Sequence, residues 1–262
     1  MVAGSATVFG IVMLENARII DSAKPRSVTF DAYVFTEDTH PDTPAQALLH
    51  YYNANDLQFG DIQPYFIIAH VAQIPTNATL PHIADGLTAK NYIFAGDITL
   101  LIPAGAGVVP ENHLYVQIAG AVTNRQGNQF SLSPEQYVGI LPRQVTFPTR
   151  CEIRPSKRWG TTPPQPRTGS CVVVGGYLER VVRDEGLNVV RFEVDTSQLV
   201  FLGKSPMAPT SPQTPSPLNG NGKRSRFTYR ESPCNKRPRL DDSDDSGSSP
   251  GSAGAAAATS SP

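Results

Sequence analysis

The sequence predicts a mainly β protein, a Greek-key barrel or sandwich, and three observations carry that expectation. The chain holds 24 prolines and 21 glycines in 262 residues, a composition hostile to long helices because Pro lacks a backbone donor and Gly costs backbone entropy. Stretches rich in β-branched and aromatic residues recur through the first 203 positions, with the period-2 alternation of half-buried strands. Their spacing is irregular, with turns rather than helices between most of them, which argues against alternating βαβ units.

Taken in order, the first strand is expected over 7–14. In the second, over 28–35, Val28, Phe30, Ala32 and Val34 alternate with Thr29, Asp31, Tyr33 and Phe35. Further strands are expected at 65–74, 92–102, 114–123, 171–182 and 187–202. Gln126-Gly127-Asn128 follows the 114–123 strand, and Asp184-Glu185-Gly186 joins the last two as a short hairpin. One short helix is predicted over 44–53, where Thr43 can cap, Pro44 suits the first turn and Gln46 completes a capping box. Ser133-Pro134-Glu135-Gln136 repeats that signature, but Gly139 and Pro142 restrict a second helix to about one turn.

From position 204 the composition turns to Pro, Ser, Thr and Gly, with too few large apolar side chains to offset the entropy of ordering, so 204–262 is expected to be a disordered tail. The formal charge of −1 conceals a partition. Residues 1–142 carry 5 Lys/Arg against 12 Asp/Glu, residues 143–203 carry 9 against 6, and the tail carries 8 against 5. The expected organisation is an acidic β-domain over 5–142, a basic β segment over 143–203 packed on it, and the tail. A polyanion should therefore meet the surface after residue 142.

No enzyme is expected. Gly105-Ala106-Gly107-Val108-Val109-Pro110 begins like a dinucleotide fingerprint, but Pro110 stands where the third glycine is needed. His40, His50, His70, His82 and His113 are scattered singly, and Cys151, Cys171 and Cys234 form neither a disulfide framework nor a zinc pattern, so no metal or cofactor is expected and a reducing compartment fits best. Cys171 opens an apolar strand and reads as a buried, inert thiol. No run reaches the roughly 20 apolar residues of a membrane helix, Met1-Val2-Ala3-Gly4-Ser5 has no basic n-region followed by an apolar h-region, so no secretion is expected, and the Asn77-Ala78-Thr79 sequon is expected to stay unused.

The informative chemistry lies over 143–203. Arg150, Arg154, Lys157 and Arg158 lead into Trp159, the sole tryptophan, and a Gly/Pro-rich loop runs on to Arg167. Cations that track phosphates beside an indole on which a base can stack suit a single strand of nucleic acid. The alternative is a core tryptophan covered by Arg and Lys stems.

Val172, Val174, Gly176 and Leu178, followed by the hairpin and by Leu202-Gly203, give the pattern V-x-V-x-G-x-L with a closing L-G. In this the segment resembles the C-terminal half of OB-fold single-strand DNA-binding proteins, over about 40 residues, and 6–36 is compatible with the first strands of such a barrel. The resemblance implies OB-like barrels, as one barrel with a long insertion or, in the preferred form, two β-modules in tandem. It also implies a binding face around Gly176 and the hairpin, which brings Tyr177, Arg180, Arg183 and Arg191 into the candidate site. Strand alternation sends Tyr177 and Glu179 to the side opposite Leu178 and Arg180.

In the tail, Lys223, Arg224 and Arg226 form one basic cluster and Lys236, Arg237 and Arg239 another, spaced like a bipartite nuclear import signal. Ser243 sits among aspartates, and Ser205, Ser211, Thr214, Ser216 and Ser232 each precede Pro, so phosphorylation could modulate import. The sequence reading is therefore a nuclear, non-enzymatic OB-like protein that binds single-stranded nucleic acid, with an import adaptor as partner and self-association or a larger complex as a further option. The competing reading is a β-barrel or sandwich interaction module, self-assembling through its opposite charge blocks, without nucleic acid.

Overall fold

The computed structural model describes residues 4–37, 45–80, 83–105, 107–108, 113–160 and 162–204. The described residues form one compact unit. The tail readings, including both basic clusters and the phosphorylation sites, lie outside the described residues.

Alternating apolar residues build two closed strand circuits. In the first, β1 (Ser5–Ile19), β2 (Ser27–Val34) and β3 (Ala45–Tyr52) form an antiparallel meander. Next, β5 (Tyr92–Pro103) joins β3 in parallel, and β4 (Gln63–Ala72) pairs antiparallel with both β5 and β1, which closes the ring. Val8, Val12, Phe30, Ala32, Leu49 and Ile67 fill its core, each at most 1% exposed.

The second circuit repeats the first. It begins with β6 (Tyr115–Gln126), β7 (Gln129–Leu132) and β10 (Thr149–Glu152), in antiparallel sequence. Parallel to β10 runs β12 (Val189–Lys204), and β11 (Ser170–Arg183) closes the ring between β12 and β6. Meander, parallel return and closure define an OB-like Greek-key barrel, and here the barrel occurs twice in tandem. The division falls between Pro103 and Tyr115, so position 142/143 lies inside the second ring, not at its edge.

The rings are fused rather than linked. β1 pairs with β6 from Ser5↔Ala119 to Phe9↔Tyr115, so one sheet passes from ring one into ring two. Phe94 of ring one meets Phe192 of ring two at 6.3 Å, and Phe147 stacks on Phe192 at 4.0 Å. The minor ribbon of β8 (Glu135–Gln136) and β9 (Val145–Thr146) carries Gln136, whose buried amide bonds Ala6 N–H and C=O, each at 2.9 Å, and also donates to the Val71 carbonyl. These contacts satisfy polar groups that would otherwise be costly to bury.

Neither expected helix forms; among the described residues the only helical turn is the 3-10 turn Ala89–Asn91. Within the stretch predicted as a helix over 44–53, Ala45–Tyr52 is strand β3, because Ala47, Leu48 and Leu49 are consecutive and all buried, which needs cover on both faces. Ring one's core takes Ala47 and Leu49, and a second cluster containing Leu80, Tyr92, Ile140 and Leu141 takes Leu48. Tertiary burial overrides local propensity here. Glu135 and Gln136, placed in the other expected helix, are β8.

Candidate nucleic-acid interface

Ring two presents the outer sides of β7, β10 and β12 beside the β6–β7 hairpin. Gly127 turns that hairpin with φ +61, a conformation that favours glycine. Side chains from these elements line a cleft of about 220 Å³, which includes Arg125, Gln129, Ser131, Arg150 and Arg191.

The three guanidinium groups are held differently. Arg125 donates to the Gln165 side-chain oxygen, and Arg150 donates to that of Gln129. Neutral amides orient these two without cancelling their charge. Arg191 instead bonds Glu193 Oε1 from Nε at 3.1 Å and Nη2 at 3.0 Å. Pre-oriented guanidinium forks match phosphate geometry.

Beside this cleft a second one, of about 150 Å³, mixes Arg150, Arg154 and Arg180 with Glu37, Glu152, Glu179 and Glu193. Arg154 grips both Glu179 oxygens at 2.7 Å and approaches Asp195 at 3.8 Å. Burial pushes the Glu179 carboxyl above its ordinary range despite the attraction of Arg154.

The candidate residues named by the sequence therefore do not form one groove. Arg191 lies in the arginine cleft, and Arg154 and Arg180 lie in the mixed cleft. Arg180 does not share the buried side of Leu178, because a register shift between Leu178 and Arg180 breaks the alternation. Arg183 is committed to the Lys90 and Leu187 carbonyls, both at 2.6 Å. Lys157 and Arg167 are exposed and lie outside both clefts.

Trp159 is half-buried and packs against the core, and the Arg158 guanidinium sits 4.9 Å from its ring centroid while also donating to Ser197 O at 2.8 Å. The core alternative thus describes much of this ring, and a base reaching the face under Arg158 would have to displace that cation. Tyr177 is exposed, but against Tyr115 on another flank of ring two, at 5.4 Å.

Arg125 and Arg150 are the site residues that sequence reasoning did not assign. Arg150 stood in the cationic run, and Arg125 stood in the acidic block. Their common address appears only once 115–204 is recognised as one barrel, with Gln126-Gly127-Asn128 as the loop between its first two strands.

The corresponding face of ring one is closed, in large part by the β8–β9 segment of ring two. Asp31 on β2, Leu48 on β3 and Tyr92 on β5 are at most 1% exposed. Leu80, Val138, Ile140 and Leu141 pack on Leu48 and Tyr92. Asp31 accepts from Arg18 twice at 2.7 Å, from Tyr92 at 2.7 Å and from Asn16 at 2.9 Å. Burial by itself would raise the Asp31 carboxyl, but these bonds and the Arg18 charge hold it below its usual value.

Ser27 Oγ lies 2.8 Å from His50 Nε2, and His50 Nδ1 lies 2.8 Å from Asp97 Oδ1. That is the connectivity of nucleophile, base and orienting group. The Ser27 N–H, however, already donates to Lys24 O at 2.9 Å and so cannot stabilise an oxyanion. The row acts as a polar clasp across β2, β3 and β5, extended by the Gly139 N–H to Asp97 Oδ2 at 2.6 Å. Cys151 is fully buried, which pushes its thiol far up, whereas Cys171 is half-buried, more open than expected. Among the described residues no cluster of three or more metal-ligating side chains occurs.

Fold and site together define a tandem OB-like barrel chain whose second ring carries an arginine-lined cleft. No protein-family model and no curated protein matches it. Among solved structures it is similar to a deletion mutant of the single-stranded DNA binding protein from Thermus aquaticus, at 15% identity over 80% of this chain and 99% of that one, with a TM-score of 0.44. At that level of likeness, the functional reading rests on the chain's own residues.

Proposed function

We propose that the chain is a non-enzymatic nuclear protein that binds single-stranded nucleic acid, DNA being the first ligand to test, through ring two alone. The observation that carries this reading is the convergence of Arg125, Arg150 and Arg191 on one cleft of an OB-like barrel, the face on which this fold takes oligonucleotides. Two of the three cations are held by amides, so their charge is available for phosphates. Covered largely by the β8–β9 segment of ring two and lined by Asp31, ring one contributes no second site of this kind.

Fluorescence anisotropy of a labelled oligonucleotide, titrated with the full chain across a salt series, tests the reading. Binding at low salt that falls linearly in log–log form supports it. Failure to bind at low salt, or binding unaffected by replacing the three arginines, overturns it. Replacement also separates the cleft from non-specific attraction by the basic tail.

Nuclear entry is assigned to the two tail clusters, Lys223, Arg224 and Arg226 with Lys236, Arg237 and Arg239, read by an import adaptor. A fluorescent fusion should lose nuclear accumulation when both clusters become alanine. Phosphate on nearby serines would weaken that address by neutralising it.

A second reading, a protein-interaction module without nucleic acid, is favoured by the mixed cleft, where carboxylates face Arg154 and Arg180. Alternating charges there suit a protein surface better than a polyanion. Absence of oligonucleotide binding would select this reading.

A further inference from the structure

The two clefts of ring two meet along a shared wall. Gln129 of β7 and Arg150 of β10 line both the arginine cleft and the mixed cleft. The Gln129 amide is oriented from either side: its oxygen accepts from Arg150 Nη2, and its Nε2 donates to Glu152 Oε2 at 3.1 Å. Arg150 and Glu152 alternate with buried Thr149 and Cys151, so both stand on the outer side of β10, about 7 Å apart along the strand. A cation suited to phosphates thus gives way, across one glutamine, to a carboxylate that repels them.

The carboxylates of the mixed cleft differ in what holds them. Glu179 is gripped at both oxygens by Arg154, and Glu193 Oε1 is gripped by Arg191. Glu152 instead accepts from a neutral amide, which occupies one of the roughly four acceptor positions of a carboxylate. An ionised carboxylate only accepts, so what it selects is a donor without negative charge. A nucleobase edge is such a group, and the bases differ in it. Guanine presents N1–H and the N2 amino group side by side, a match for two carboxylate oxygens. Cytosine and adenine present one amino group beside an acceptor, and thymine presents a single N–H between two carbonyl oxygens. The Arg154 guanidinium, fixed by its two 2.7 Å bonds to Glu179, offers the base a plane to lie on.

We infer that Glu152 is a specificity-determining residue of the ring-two site: it reads the Watson–Crick edge of a base whose phosphate lies on Arg150, and it favours guanine over thymine. The inference rests on the oligonucleotide reading of the arginine cleft and adds a base preference to it. Both clefts then serve one ligand, with phosphates on one side of Gln129 and a base on the other.

Anisotropy titrations of the full chain with labelled strands of about 15 nucleotides test it. The strands are all thymine, thymine with isolated guanines, and the latter with inosine in place of guanine, which removes only the N2 amino group. The guanine strand should bind about 10-fold more tightly than the thymine strand, the scale of one bidentate base contact, and inosine should lose most of that gain. Glu152→Gln should bring the guanine and thymine affinities together, while thymine binding holds or rises with the loss of a negative charge. Glu185→Gln, the same change on the exposed 184–188 hairpin, should keep the preference. The inosine comparison uses the wild-type chain and so does not depend on how the variant folds. Equal binding of guanine and thymine strands, inosine equal to guanine, or a preference that survives Glu152→Gln overturns the inference and leaves the arginine cleft standing. Failure to bind any of the strands at low salt overturns the reading of the cleft as well.

Discussion

Arg150 on β10 stands in parallel register with Glu193 on β12, the carboxylate that Arg191 grips through Nε and Nη2. This acid, which itself lines the neighbouring mixed cleft, thus borders the arginine cleft and offsets part of its positive charge. Glu193→Gln should release Arg191 and strengthen oligonucleotide binding by up to about 1 kcal/mol at low salt, the scale of a part-exposed ion pair. Anisotropy titrations of variant and wild type at matched salt check this.

Arg150→Ala should weaken oligonucleotide binding and reduce the slope of log K against log salt by about 1, the signature of one lost phosphate contact. Arg125→Ala should act similarly. Arg183→Ala should leave both quantities unchanged, because Arg183 is spent on the Lys90 and Leu187 carbonyls. A salt series on each variant separates these outcomes.

Asp31 anchors a buried network in ring one, and removing its charge breaks its ion pair with Arg18. Asp31→Asn should destabilise the fold by about 3–5 kcal/mol at neutral pH, as measured by urea unfolding. The native carboxyl titrates below its ordinary value. Its contribution is therefore fully present above the unfolded-state pKa of about 4 and disappears as pH falls through the lower native value. The acid limb of the wild-type stability curve should flatten in the variant.

Gly176 sits where β11 presses on β12: an added Cβ would lie 2.1 Å from the Asp195 carbonyl oxygen. Backbone cannot yield as a side chain can, so Gly176→Ala should cost at least about 1–3 kcal/mol. A lowered midpoint in thermal or chemical denaturation checks it.

The Val172, Val174, Gly176, Leu178 pattern was legible because each position answers to one physical demand: three side chains fill ring two's core, and the glycine admits the Asp195 carbonyl. Strand β2 and the 184–188 hairpin were legible for the same kind of reason, alternation and turn chemistry. Strands β7 and β10 were not, since each spans four residues and offers too short a period to read. β3 was hidden by its consecutive buried residues, whose second cover comes from segments distant in sequence. For the cleft, Arg191 was within reach of sequence reasoning, whereas Arg125 needed the ring topology. Trp159 drew attention by its rarity, but its ring is shared between the core and Arg158.

The seam between β1 and β6 constrains how the molecule can be taken apart. Ring one cut away from ring two would bare the backbone donors and acceptors of Ser5–Phe9 along a neutral, apolar margin, a template for fibrous stacking. The halves are thus poor candidates for separate expression, and their spacing is a fixed property of the sheet rather than of any tether.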